Sequence, residues 1–174
     1  MKILFIEDDP DYRAALRAGI EPYLSAREDQ PSLPDMEIVE TEDKEEAEGV
    51  LREQSEDIAV AFVDLVLKEQ PAPGKDPKGV LLLEHIQHHY PRIVPIVLTG
   101  HGNIKTESRC LEAGAFDFLD KAQMDGETIF LRIRRALDEH YRRAARHKME
   151  TALKETVEQL RGMAAKLDGL LNQL

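Results

Sequence analysis

Four apolar runs of the sequence end in residues whose types can do chemistry together. The first closes on Glu7-Asp8-Asp9, another on Asp64, a third on Thr99-Gly100 and the last on Asp120-Lys121. Carboxylates, a hydroxyl and an ammonium are thus supplied by separate parts of the chain. Two carboxylates about 5 Å apart repel by roughly 3 kcal/mol at an effective dielectric of about 20. Three together raise one another's pKa values unless a cation joins them. An all-oxygen set with room for water and phosphate suits Mg²⁺. In such a site the metal neutralises the carboxylates, and Lys121 adds positive charge. Thr99 donates a hydrogen bond to a phosphoryl oxygen, and Asp64 is the nucleophile that forms an acyl phosphate. Phosphoryl transfer asks a protein mainly for positioning and charge stabilisation, which these groups provide. Asp9, directly before Pro10, is expected to be a helix cap instead.

These residues work only if the fold gathers them. Five short apolar segments read as strands: Ile3–Ile6, Glu37–Val39, Ile58–Val63, Ile93–Leu98 and Phe116–Leu119. Three are near-continuous and rich in Ile and Val, as strands covered on both faces of a parallel sheet should be. Helix-period segments alternate with them: Tyr12–Leu24, Lys44–Glu53, Val80–His89 and Ile104–Glu112. The alternation predicts an α/β fold with a doubly wound five-stranded parallel sheet. Ligands bind such sheets outside the carboxyl ends of the strands, where the four groups fall. Gly114 reads as the stop of the fourth helix and Pro91 as the stop of the third. The connections Ser25–Asp35 (with Pro31 and Pro34) and Lys68–Lys78 (with Pro71, Pro73, Gly74 and Pro77) read as long surface loops.

Bulk properties are consistent with one domain plus an appendage in 174 residues. Apolar residues reach 42%, aromatic ones only 5%, and Trp is absent, so the core must be mostly Leu, Ile, Val and Ala. The net charge of −11 argues against direct, sequence-independent nucleic-acid binding. One cysteine, Cys110, fits a reducing compartment and reads as a small core residue. No apolar stretch approaches the ~20 residues needed to span a bilayer, so a soluble, cytoplasmic chain without membrane contact is expected. His85, His88 and His89 lie close together, without carboxylates or cysteines beside them, and read as a solvated helix end. Residues 1–125 carry 13 Lys/Arg against 27 Asp/Glu, and residues 126–174 carry 10 against 7. That shift divides a core, 1–125, from a C-terminal segment, 126–174.

The stretches Ile3–Asp9, Ala61-Phe62-Val63-Asp64-Leu65, Val97-Leu98-Thr99-Gly100-His101-Gly102 and Ala113–Lys121 together resemble the response-regulator receiver family, across residues 1 to about 137. The resemblance implies a flavodoxin-like receiver in which Asp64 is phosphoacceptor and metal ligand. It implies that Asp8 binds Mg²⁺ directly, Glu7 through water, and Val66 through its backbone carbonyl. Thr99 and Lys121 would bind the phosphoryl group, and Phe118 holds the position of a switch aromatic. A histidine kinase or phosphotransfer protein would be the donor. Two features depart from the family pattern. Ala122 stands where a proline with a cis bond usually follows the lysine, and a cis bond before a non-proline costs ~3 kcal/mol. The loop after Asp64 is also longer than usual, so Gly79 arrives late. It either shapes the docking partner or is a tolerated surface insertion.

Residues 127–174 contain no proline. One helix of about 48 residues would run about 70 Å. Ile129, Ile133, Ala136 and Leu137 can pack on the sheet as a fifth helix. Beyond them, Val157, Leu160, Ala164, Leu167, Leu171 and Leu174 alternate by three and four, an a/d seam read as a parallel two-stranded coiled coil over 150–174 and a homodimer, with antiparallel pairing or folding back onto the receiver as the alternatives. Leu137, Tyr141, Ala145, Met149, Leu153 and Val157 step by four, which would locally unwind a left-handed coil. Two rival classes remain. A haloacid-dehalogenase-type phosphohydrolase needs a second Asp two residues after the nucleophile, where Val66 stands. A non-phosphorylated dimerisation scaffold would not need the acidic pair, Thr99 and Lys121.

Overall fold

The computed structural model describes residues 1–24, 33–68, 72, 75–100 and 104–171. Pro31, Pro71, Pro73, Gly74, His101, Gly102 and Leu174 lie outside the described residues. The chain divides into two compact units, the first ending at His140 and the second starting at Tyr141.

The first unit is built on strands β1 (Lys2–Ile6), β2 (Glu37–Thr41), β3 (Ile58–Asp64), β4 (Val94–Thr99) and β5 (Asp117–Asp120). All neighbours pair in parallel, in the order β2-β1-β3-β4-β5. The three central strands are the apolar ones, and β3 is buried at every residue. The edge strands β2 and β5 carry the polar residues that an edge tolerates. Helices α1 (Pro10–Leu24), α2 (Lys44–Gln54), α3 (Lys78–His89), α4 (Ile104–Glu112) and α5 (Gly126–Leu171) connect or follow them.

Alternation along each strand divides the core in two. Ile3, Phe5, Val60, Phe62 and Ile96 face α1 and α5, with Leu16, Ile20, Ile129, Phe130 and Ile133 packed against them. Leu4, Ile6, Ala61, Val63 and Val97 face α2, α3 and α4, with Leu51, Leu83, Ile86 and Cys110 on the other side. The anticipated fifth-helix positions Ile129, Ile133, Ala136 and Leu137 are all buried, which carries the compact unit on to His140. The second unit is the remainder of α5, where Met149, Leu153, Leu160, Met163 and Leu167 are exposed.

The helices α2 and α4 start where apolar periodicity suggests, and α1 and α3 start two residues earlier. The helix α1 begins at Pro10, because the Asp9 Oδ1 accepts from the Asp11 N–H at 2.8 Å and proline's fixed φ suits a first turn. The strand β5 begins at Asp117 rather than Phe116, and the Asp117 carboxylate is compensated by Arg132 and Arg135 of α5. Gly114 stops the fourth helix with φ +103°, as its position predicted.

Two glycines set how closely α3 and α5 approach their neighbours. A Cβ on Gly79 would lie 2.2 Å from the Asp64 carbonyl oxygen and 2.7 Å from the Leu65 Cα. A Cβ on Gly126 would lie 2.7 Å from the Gly19 carbonyl oxygen. In both places the neighbour is rigid backbone. Gly79→Ala should therefore cost about 2 kcal/mol or more by overpacking, read as a lower urea midpoint. An unchanged midpoint would mean that the start of α3 does not need this contact.

Candidate functional site

The carboxyl edge of the sheet gathers the four groups. Glu7 and Asp8 leave β1 directly, and Asp64 is the last residue of β3. Asp64 pairs with Leu98 across the ladder, so Thr99 follows one residue later on β4. Lys121 follows β5 in a short 3₁₀ turn, Lys121–Gln123, capped by Asp120, whose Oδ1 accepts from the Ala122 N–H at 2.8 Å. That cap aims the lysine without a proline, and no cis peptide bond occurs among the described residues.

Together these residues line an open cleft of about 640 Å³ that also includes Tyr12, Val66, Pro77 and Thr106. Glu7 is completely buried and Asp64 is 6% exposed. Glu7, Asp8 and Asp64 can each place a carboxylate oxygen within 4.8 Å of the others. The Lys121 Nζ lies 2.7 Å from the Glu7 Oε2 and 3.2 Å from the Asp64 Oδ1. The Glu7 Oε2 has no well-aligned hydrogen bond, so the ammonium serves it as counter-charge.

Charge balance follows from this packing. Burial pushes the Glu7 carboxyl above its ordinary value; the Lys121 ammonium opposes that and the Asp64 charge adds to it. Burial also raises the Asp64 carboxyl, with the neighbouring Asp8 charge adding and Lys121 opposing. For Lys121, burial works to lower the pKa, but the close Glu7 carboxylate and the Asp64 charge outweigh it and hold the ammonium above its usual range. Three carboxylates against one ammonium leave an excess of negative charge on oxygen donors alone. With the poorly satisfied Glu7 Oε2, that donor set fits a hard divalent cation such as Mg²⁺.

Several groups that support the site were not singled out from the sequence. The Arg13 Nη1 donates to the Glu7 carbonyl at 2.6 Å and to the Asp8 carbonyl at 3.2 Å, fixing the backbone of the acidic pair. The Lys68 N–H donates to the Asp8 Oδ2 at 3.1 Å, while its Nζ pairs with Asp43 at 2.7 Å. Lys68 adopts φ 58°, a left-handed conformation that a non-glycine residue holds at some cost. The Tyr12 ring lies 4.5 Å beneath the Lys121 Nζ. Starting α1 at Pro10 puts Tyr12 and Arg13 in its first turn, directly after the acidic run, and that was the available signal. Phe118 is half-buried and packs toward the core facing α2, α3 and α4. The histidines at the end of α3 lie close together with their rings tilted, with 4.4 Å between the His85 and His89 ring centres. Among the described residues no cluster of three metal-ligating side chains includes them.

A parallel sheet in this order, with an acidic cleft and a lysine at its carboxyl edge, defines a doubly wound α/β domain. The response regulator receiver domain family matches residues 3–134, and the chain belongs to that family. The nitrogen assimilation regulatory protein NtrX of Azorhizobium caulinodans is 30% identical over 119 residues, covering 68% of this chain and 22% of that protein. The response regulator protein PilR of Pseudomonas aeruginosa is 31% identical over 120 residues, covering 69% of this chain and 22% of its own. The crystal structure of the receiver domain of NtrX from Brucella abortus superposes with a TM-score of 0.60 at 24% identity, covering 78% of this chain and 98% of that one. This chain therefore spans about a fifth of the length of the two curated relatives. No described helix is long and apolar enough to cross a membrane.

The raised carboxyl of Asp64 has a measurable consequence. A group with a higher pKa in the folded state binds protons more tightly there. As pH rises through about 4, the unfolded chain ionises first and Asp64's contribution to stability falls. In Mg²⁺-free buffer Asp64→Asn should thus be more stable than the wild type at neutral pH, on the order of 1 kcal/mol. The advantage should shrink toward pH 4. Urea unfolding across pH checks this, and a variant less stable than the wild type at pH 7 would contradict it.

Proposed function

We propose that this chain is a phosphorylation switch, in which Asp64 accepts a phosphoryl group from the phosphohistidine of a histidine kinase or phosphotransfer protein. The observation that carries the reading is the Lys121 ammonium held between Glu7 and Asp64, in a cleft that Thr99 also lines. An Asp64 carboxylate oxygen attacks phosphorus as the phosphorus–nitrogen bond breaks, and the donor ring, already protonated on its other nitrogen, leaves as neutral imidazole. Lys121 pairs with the incoming phosphoryl oxygens, and the Thr99 hydroxyl donates to one of them. Asp8 and Asp64, with the Val66 carbonyl and with Glu7 acting through water, would hold a Mg²⁺ ion. When bound, the ion supplies positive charge against the phosphoryl oxygens. Val66, two residues after Asp64, offers no acid or base there, which weighs against steady phosphohydrolase turnover.

On this reading Thr99 shifts toward the phosphoryl group and Phe118 turns inward, altering the surface formed by α4, β5 and α5. The receiver-type relatives named above continue well beyond the matched region, and the output of the switch would lie in such a continuation or in a partner. A small phosphodonor such as acetyl phosphate with Mg²⁺ should add one phosphate to the wild type by intact-mass measurement. Chelation of Mg²⁺ or Asp8→Asn should suppress the addition strongly, and Asp64→Ala should abolish it. Undiminished labelling of Asp64→Ala would sink the assignment.

The C-terminal half of α5 would join two copies. Val157, Leu160 and Leu167 are exposed along the anticipated seam, although Val157 at 37% is much less so than Leu160 at 59% or Leu167 at 60%. Isolated helices are marginal in water and gain stability by covering such a stripe. A parallel pair places both receivers at one end. Sedimentation over a range of concentrations should show a reversible dimer that Leu160→Glu with Leu167→Glu converts to monomer. A strictly monomeric wild type at high concentration would rule the coil out.

A further inference from the structure

We propose that Tyr12 is a positioning residue for Lys121, its ring acting as a platform that holds the ammonium where an incoming phosphoryl group needs it. The proposal rests on the reading of Asp64 as phosphoacceptor and adds a residue that the family resemblance did not supply.

Among the described residues the Lys121 ammonium has close neighbours of two kinds, two carboxylates and one aromatic ring. The carboxylates are those of Glu7, at 2.7 Å, and Asp64, at 3.2 Å. The ring is that of Tyr12, with its centroid 4.5 Å from Nζ. The carboxylate contacts do not survive a reaction equally. Conversion of the Asp64 carboxylate to an acyl phosphate removes that carboxylate's own charge, whereas Glu7 remains buried and the ring is unchanged. An aromatic face attracts a cation through its quadrupole and carries no net charge. It therefore steadies the ammonium without competing with the phosphoryl oxygens, as a third carboxylate would.

Burial points the same way. The lysine side chain is 11% exposed although the cleft is open, and Tyr12 lines that cleft beside it. A lysine stem is flexible, with rotatable bonds that let an unsupported ammonium swing toward water. Tyr12 itself is 36% exposed and lies in the first turn of α1, outside both buried core clusters. Stability alone therefore gives little reason for a large aromatic there. The part that matters is the ring face, and the hydroxyl is not needed.

The test compares Tyr12→Leu and Tyr12→Phe in the full chain with acetyl phosphate and Mg²⁺, timed by intact mass. The leucine variant should take up phosphate about fivefold more slowly, the scale expected of one partly exposed cation–π contact. The phenylalanine variant should match the wild type. Thermal melting confirms that each variant is folded, and Tyr12→Gln replaces the leucine variant if that one is not. A second readout needs no phosphate. Ring current from Tyr12 should displace the Lys121 ε-methylene proton signals in the wild type and in Tyr12→Phe, and the displacement should vanish in Tyr12→Leu. Equal labelling rates for leucine and wild type, or signals unmoved by loss of the ring, would overturn the role of Tyr12. If the wild type itself takes no phosphate, the reading of Asp64 falls first and this role falls with it.

Discussion

The structure is organised around a charge that folding has to place out of water. Glu7 has none of its surface exposed, and a lone buried carboxylate is costly unless a cation accompanies it. Lys121 is that cation, and it reaches Glu7 from the opposite side of the sheet order, after β5, while Glu7 follows β1. Their pairing spans β3 and β4, whose ends supply Asp64 and Thr99. The same contact that neutralises Glu7 thus draws the remaining chemical groups into one cleft. The compensation is incomplete, since three carboxylates share one ammonium, and that residual negative charge on oxygen donors fits a divalent cation.

Around this pair the fold supplies stiffness by different means on each side. Beside β1, Arg13 clamps two backbone carbonyls, so the acidic pair cannot drift outward. After β3, the close approach of Gly79 to Asp64 and Leu65 seats the start of α3 against the strand end. A Gly79 N–H bond to the Leu65 carbonyl at 3.1 Å reinforces it. On the far wall, Arg109 of α4 reaches Asp76 at 2.7 Å and Glu84 at 2.5 Å, joining α4 to the residues that introduce α3. Such side-chain ties on α4 are exchangeable, whereas the glycine contacts are not. The region proposed to respond to phosphorylation is therefore held by the more adjustable of the two kinds of restraint.

Much of this was legible in the sequence because it follows from short-range rules. Buried parallel strands read as Ile/Val runs, and Pro10 and Gly114 mark helix boundaries through their backbone preferences. The strand-end position of Asp64 follows from the run before it. What was not legible depends on distances across the fold. Asp117 falls inside the fifth strand as read from the sequence, but the partners that compensate its carboxylate, Arg132 and Arg135 of α5, could not be read from that run. Lys68 looks like an ordinary loop lysine, yet its backbone serves Asp8 while its side chain caps the other end of the same linkage at Asp43. The departure at Ala122 left the direction of Lys121 open, and the answer came from the Asp120 side chain two residues away, which no family pattern required.

The single cysteine has a consequence of a different sort. Cys110 lies in α4 with no exposed surface, and burial pushes its thiol up to about 11. Only the thiolate attacks alkylating reagents readily, so the closed domain is nearly inert to them. Reaction requires α4 to lift from the sheet long enough for reagent to enter. The chain thus carries a native stopwatch in the helix proposed to carry its signal: the pace of covalent trapping counts openings of that helix, with no engineered label.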